Sequence, residues 1–71
     1  MSAVSNAIRA ARHAAGMTVM EAAAASGVTS AYIYRVEEGR SVPSMTTAIK
    51  LADAYSCTLD KLVGRDNHGR D

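Results

Sequence analysis

The residues with the clearest chemical potential lie in the stretch "SAYIYRVEE" at positions 30–38, where two tyrosines stand next to an arginine. On a helix that turns 100° per residue, Ile33 and Val36 fall on one side. The opposite side and its flanks then carry hydrogen-bonding side chains and a methyl group, at Ser30, Ala31, Tyr32, Tyr34, Arg35 and Glu38. Such a face either solubilises a surface helix or contacts a polar partner, and the residues alone leave both readings open.

Enzyme chemistry is not expected from this sequence. It contains no nucleophile–base pair, no phosphate-binding glycine loop and no paired catalytic carboxylates. His13 and His68 are too isolated to form a metal site, and the single cysteine, Cys57, excludes an intrachain disulfide. We therefore expect no cofactor and no metal, and a reducing, cytoplasmic setting.

Length and charge narrow the class of protein further. A chain of 71 residues with a formal net charge of +1 is long enough for one small domain. No apolar run reaches the roughly 18 residues that a membrane span requires, and the N-terminus lacks the pattern of a signal peptide. Because the net charge is so low, any nucleic-acid binding must depend on where the charges lie.

Capping residues and apolar spacing predict five short helices and an all-α fold. We expect helices over residues 2 or 5 to 15, 19–25, 30–38, 45–55 and 58–64. Thr18 with Glu21 has the spacing of a capping box, and Thr29, Ser44 and Thr58 are further N-caps. The inward residues of the fourth helix are expected to be Met45, Ala48, Ile49, Ala52 and Tyr55. The polar end, 65–71, is expected to be a flexible tail after a domain at 1–64.

The second and third helices are separated by a short turn centred on Gly27, which describes a helix-turn-helix. Glu37 lies beside the apolar side of the third helix, where an unpaired carboxylate would be costly. Arg12, at the edge of the apolar stripe of the first helix, is its expected partner. Arg9 and His13 are expected to point away from that stripe.

The order and spacing of "IRAARHAAGMTVMEAAAASGVTSAYIYRVEEGRSVPSMTTAIKLADAYSCTLDKLVG" resemble the phage repressor and Cro type helix-turn-helix family, also called the xenobiotic response element family. The resemblance covers residues 8–64 and implies a compact five-helix, lambda-repressor-like domain whose third helix enters the DNA major groove. It also implies pairing of a first-helix arginine with a glutamate near the end of the third helix, here Arg12 and Glu37.

Family positions that read bases match Ser30, Ala31 and Arg35, with Tyr34 adjacent. Arg35 could bind guanine in a bidentate manner, and the methyl of Ala31 could contact thymine. The residues expected to contact DNA phosphate are Thr18, Tyr32, Arg40 and Ser44. Double-stranded DNA is thus the expected partner. The expected role is that of a sequence-specific transcriptional regulator, and a repressor is the preferred interpretation.

Three residues depart from the family pattern. Val19 stands where glutamine often braces the recognition helix, Glu38 stands where a basic residue or asparagine is common, and Tyr34 replaces a small residue. Of these, Val19 and Glu38 leave open a rival reading, a protein-interaction module or antitoxin-type accessory subunit that binds a partner protein. A monomer would bind a palindromic operator weakly, so we expect a homodimer. The family implies an interface near the fifth helix, involving Tyr55, Leu59, Leu62 and Val63.

Overall fold

In a computed structural model that describes residues 3–64, the chain forms five helices. They are α1 (Ala3–Ala14), α2 (Val19–Ser26), α3 (Ser30–Glu37), α4 (Met45–Ala54) and α5 (Leu59–Leu62). The all-α architecture expected from the sequence is confirmed, and the observed ends lie within a few residues of the expected ones. The tail at 65–71, His68 and the alternative start at Ser2 lie outside the described residues.

Hydroxyl caps start four of the helices and explain why their beginnings were predictable. The side chains of Thr18, Thr29, Ser44 and Thr58 each accept a hydrogen bond from the backbone three residues later. These bonds satisfy amides that have no partner within the helix itself. At α2 the reciprocal bond is also present, because the Glu21 carboxylate accepts from the Thr18 N–H at 2.9 Å.

Gly27 makes the turn between α2 and α3 possible. Its φ of 80° lies in the left-handed region, and its N–H closes α2 on the carbonyl of Ala23. A side chain at this φ would strain the backbone, whereas glycine adopts it freely. The turn is therefore short, and α2 packs directly against α3.

The core is small and draws on every helix. α2 contacts α3 and α4, α1 contacts α3 and α5, and α4 contacts α5. The largest fully buried apolar side chains come from four of these helices and are Ile8, Ile33, Val36, Leu51 and Leu62. Val4 and Ala11 of α1, and Ala15 just after it, are partly buried and pack around this core.

The inner face of α4 differs from the one expected. Met45 and Ile49 are 65% and 45% exposed, while Leu51 is fully buried. The sequence offers two overlapping apolar stripes on this helix, and packing against α2 and α5 selects the stripe that contains Ala48 and Leu51. Met45 and Ile49 are left on the surface.

Two residues expected at a dimer interface belong instead to the core. Tyr55 and Leu62 are buried within the domain, so their side chains offer no surface to a second copy. Leu59 and Val63 are partly exposed. The single cysteine, Cys57, is partly buried.

Candidate nucleic-acid interface

The inner face of α3 is seated on the rest of the domain by two apolar side chains and one charged one. Ile33 and Val36 are each 1% exposed, and Glu37 is 3% exposed. With these three residues fixed, the rotation of α3 about its own axis is fixed too. The residues at 31, 34 and 35 are consequently exposed.

Glu37 is held chiefly by Arg12. The Arg12 Nε and Nη2 donate to the two carboxylate oxygens at 2.7 and 2.9 Å, and Nη1 donates to the carbonyl oxygen of Met17 at 2.9 Å. The hydrogen bonds to Glu37 raise the pKa of Arg12, although burial acts to lower it. This fork geometry satisfies both charges and ties α1 to the end of α3.

Arg9 also contacts Glu37, which the sequence did not suggest. Its Nη2 donates to the Glu37 carbonyl oxygen at 2.9 Å, and its Nε lies 3.6 Å from a carboxylate oxygen. Arg9, expected to point away from the apolar stripe of α1, is 40% exposed, and its guanidinium nevertheless reaches α3. Arg9 and Arg12 are three residues apart, a spacing that places them on neighbouring parts of one helix face.

The hydroxyl of Tyr55 is buried near this cluster. It has no hydrogen-bond partner among the described residues, and burial raises the pKa of Tyr55 to about 12. The Glu37 charge acts in the same direction, while the Arg12 charge opposes it. The phenol is thus held in its neutral form by its surroundings.

The outer face of α3 carries the residues that the sequence proposed as base-reading. Tyr34 is 52% exposed, Ala31 and Arg35 are exposed, and Ser30 is partly exposed. The guanidinium carbon of Arg35 lies 5.6 Å from the centre of the Tyr32 ring, within the range of a cation–π contact. These four residues therefore lie on one helix, whose inner face is packed against the rest of the domain.

Comparison with protein families matches residues 8–62 to the family described as helix-turn-helix. The chain belongs to the phage repressor and Cro type helix-turn-helix family. At the level of that family it is a DNA-binding transcriptional regulator. No curated protein and no solved structure matches it significantly.

The backbone turn after α3 fixes the position of a second arginine, Arg40. The backbone N–H of Arg40 donates to the carbonyl oxygen of Arg35 at 2.8 Å, and the backbone N–H of Gly39 donates to the carbonyl oxygen of Val36 at 3.1 Å. These two bonds form the closing motif typical of helices that end at a left-handed glycine. The backbone of Arg40 is therefore held at the C-terminal end of α3.

Glu38 and Arg40 form an exposed ion pair, with Nη2 and Oε1 2.8 Å apart. Glu38 lies at the C-terminal end of α3, where a carboxylate would repel any phosphate that approached. The ion pair neutralises that charge. It also engages the guanidinium of Arg40, which was expected from the sequence to contact DNA phosphate. A phosphate contact by Arg40, as expected from the sequence, would therefore compete with its pairing with Glu38.

Two further phosphate candidates are already engaged as caps. The Thr18 hydroxyl oxygen accepts from the Glu21 N–H at 3.1 Å, and the Ser44 hydroxyl oxygen accepts from the Thr47 N–H at 3.3 Å. At the start of α2 the capping box uses the amides of residues 18 and 21, and the carboxylate of Glu21 adds negative charge. This end of α2 is thus less attractive to an anion than the sequence indicated.

Val19 has a structural explanation in this helix-turn-helix. It is 8% exposed and belongs to the core. Many members of the family have a glutamine at this position, close to the DNA backbone. Valine contributes to the packing of α2 instead, and it cannot make the glutamine's polar contact to α3.

Other kinds of site receive no support from the described part of the chain. Among residues 3–64, no group of three or more His, Cys, Asp or Glu could hold a metal ion. None of the helices described there is long and apolar enough to cross a membrane. Burial raises the pKa of the Cys57 thiol, with Lys61 acting weakly against it, which disfavours the reactive thiolate.

Proposed function

We propose that this protein is a sequence-specific transcriptional regulator, in the first place a repressor, that places α3 in the major groove of an operator. Residues 1–64 would form the binding domain and 65–71 a polar tail. The observation that carries the proposal is the division of α3 into a fixed inner face and an exposed outer face bearing Arg35.

The charges around α3 support the assignment of Arg35 to base recognition. Glu37 is bonded to Arg12 and Glu38 is paired with Arg40. Within residues 3–64, Arg35 forms no ion pair, so its guanidinium is available for a partner outside the domain. A bidentate contact from arginine to guanine is worth about 1–3 kcal/mol against a wrong base.

Selection of operator sequences from random DNA tests this proposal. The wild-type protein should enrich a defined sequence, and Arg35→Ala should lose that enrichment while its melting temperature stays the same. Arg40→Ala is the matched control, because loss of a phosphate contact should weaken binding to all sequences by a similar factor. If the wild type enriches no sequence even at low salt, the proposal is wrong.

We also propose that the protein binds its operator as a homodimer. Two copies on a palindrome would place their recognition helices about 34 Å apart and combine their phosphate contacts. The surface that supports pairing is a groove of about 260 Å³ that includes the partly exposed Leu59 and Val63. Its rim carries Val42 and Met45, which are 82% and 65% exposed.

Binding to a partner protein is the second candidate function. The observation that favours it is the same exposed apolar surface, with Ile49 nearby on α4, since a different protein could cover it in place of a second copy. The two departures that first suggested this reading now carry less weight, because Val19 is a core residue and Glu38 is paired with Arg40. Light scattering of the free protein distinguishes a homodimer from a monomer that needs a partner.

A further inference from the structure

Tyr32, the first tyrosine of α3, was expected from the sequence to contact phosphate, but in the structure its ring lies beside the Arg35 guanidinium. The two residues are three apart on α3, a spacing that brings side chains together on one helix face. The Arg35 guanidinium carbon lies 5.6 Å from the centre of the Tyr32 ring. Cation–π attraction extends to about 6 Å, so the ring attracts the guanidinium at this distance.

Tyr32 is anchored whereas Arg35 is exposed. The Tyr32 side chain is partly buried and packs against the hydrophobic core. Its backbone N–H donates to the hydroxyl of the N-cap Thr29 at 3.1 Å. A fixed aromatic ring beside a flexible cation restricts the cation and not the ring.

The neighbouring carboxylates do not compete for Arg35. Arg12 occupies the carboxylate of Glu37, and Arg40 occupies that of Glu38. Within residues 3–64, the Arg35 guanidinium thus forms no ion pair, and its aromatic contact is with the ring of Tyr32. An aromatic face orients the cation without consuming the N–H groups that would bind a base edge.

We propose that Tyr32 is a positioning residue for Arg35, which holds the guanidinium over its ring before DNA arrives and so sharpens the choice of base. The inference rests on the proposed function, since it assigns Arg35 to base reading. A free arginine side chain loses rotamer freedom when it binds, and a partly ordered one loses less. The aromatic ring of Tyr32, and not its hydroxyl, is the functional group.

Substitutions at Tyr32 separate the ring from the hydroxyl. The measured quantity is the ratio of the Kd for a DNA with one guanine replaced in the selected operator to the Kd for the operator itself. Tyr32→Phe keeps the ring and should keep this ratio. Tyr32→Leu should lower it about two- to fivefold, the equivalent of a cation–π contact at an exposed site. In an Arg35→Ala background, Tyr32→Leu should have no further effect on the ratio.

A measurement without DNA tests the geometry on its own. The ring current of Tyr32 should shift the NMR signals of the Arg35 δ-methylene protons in the wild type and in Tyr32→Phe, and this shift should disappear in Tyr32→Leu. Tyr34→Leu is the matched control, because it removes the other tyrosine of α3 and should leave the Arg35 signals shifted. Melting temperatures of all variants show whether each remains folded.

The outcomes that overturn the inference differ from those that overturn the proposed function. If Tyr32→Phe loses as much discrimination as Tyr32→Leu, the hydroxyl acts directly and the positioning role is wrong. It is equally wrong if Tyr32→Leu weakens operator and substituted DNA by the same factor, or if the Arg35 signals show no ring-current shift. A wild type that selects no sequence overturns both the inference and the proposed function.

Discussion

Glu37 and Arg12 are joined by two hydrogen bonds of 2.7 and 2.9 Å that connect the last residue of α3 to α1. Both side chains are largely removed from solvent, with exposed fractions of 4% and 11%. The ion pair therefore fixes the C-terminal end of α3 against α1. Its loss would leave buried, unpaired charge, which is more costly than the loss of a surface ion pair.

Glu37→Gln should accordingly destabilise the domain by about 3 kcal/mol, because the Arg12 guanidinium would lose its charged partner. The check is chemical denaturation monitored by circular dichroism. Glu38→Gln is the matched control, since it makes the same change one residue later in an exposed pair and should alter stability by less than about 0.5 kcal/mol. Equal stability of Glu37→Gln and the wild type would show that the buried pair is not structural.

Tyr55→Phe should leave the free energy of unfolding at neutral pH unchanged or raise it by up to about 1 kcal/mol. The reason is that the buried hydroxyl has no partner among residues 3–64, so its removal relieves a desolvated polar group. Thermal melts at pH 7 provide the measurement. A loss of more than about 1 kcal/mol would mean that the hydroxyl makes a stabilising contact.

Alkaline pH should destabilise the wild type through the same residue. The pKa of Tyr55 is raised from 10.0 to about 12, so between these values the unfolded chain has released a proton that the folded chain keeps. Stability therefore falls as pH rises through 10, by about 2–3 kcal/mol at pH 12. Well below pH 10 the phenol is protonated in both states and contributes no pH dependence.

Comparison of variants assigns this alkaline loss. Tyr55→Phe should reduce it, whereas Tyr34→Phe, which removes an exposed hydroxyl, should retain it. Denaturation midpoints measured from pH 9 to 12 give both slopes. Identical slopes for the wild type and Tyr55→Phe would contradict the assignment to Tyr55.

Glu38→Gln should strengthen binding to all DNA sequences by a similar factor. It frees Arg40 from a pair with a 2.8 Å contact and removes a negative charge from the end of the recognition helix. If the freed Arg40 neutralises one phosphate, the slope of log K against log salt steepens by about 0.9 per protomer. Titrations at several salt concentrations measure this slope, with Asp53→Asn on α4 as a control of equal charge change. An unchanged slope would show that the pair with Glu38 does not withhold Arg40 from the DNA backbone.

Thr18→Ala should lower stability by about 1 kcal/mol, because it removes the hydroxyl that accepts from the Glu21 N–H and leaves only the reciprocal bond from the Thr18 N–H to the Glu21 carboxylate. Thr46→Ala is the matched control, since Thr46 is an exposed residue inside α4 and caps no helix. Thermal denaturation of the two variants tests the difference. Equal melting temperatures would indicate that Glu21 alone satisfies the start of α2.

The helices could be predicted from the sequence because their ends are encoded locally. Thr18, Thr29, Ser44 and Thr58 mark the starts, and each cap bond spans three residues. The pairing of Arg12 with Glu37 could also be predicted, because an inward carboxylate requires a cation and the neighbouring helix offers one at the right edge.

Features that depend on the packing of several helices could not be read from one helix at a time. Met45 and Ile49 fit an apolar stripe as well as Leu51 does, and the positions of α2 and α5 decide between them. The contact of Arg9 with Glu37 requires the angle between α1 and α3, which a helical wheel does not contain. The ion pair of Glu38 with Arg40 depends on how the chain turns after Gly39.

The two faces of α3 share no residue, and this separation has an evolutionary consequence. Ile33, Val36 and Glu37 hold the helix, while Ala31, Tyr34 and Arg35 are exposed and contribute little to the core. Under the proposed function, substitutions at those outer positions would change target preference while the domain remains folded. The domain would then be suited to divergence of its operators, and also to laboratory libraries in which the outer residues of α3 are randomised on an unchanged scaffold.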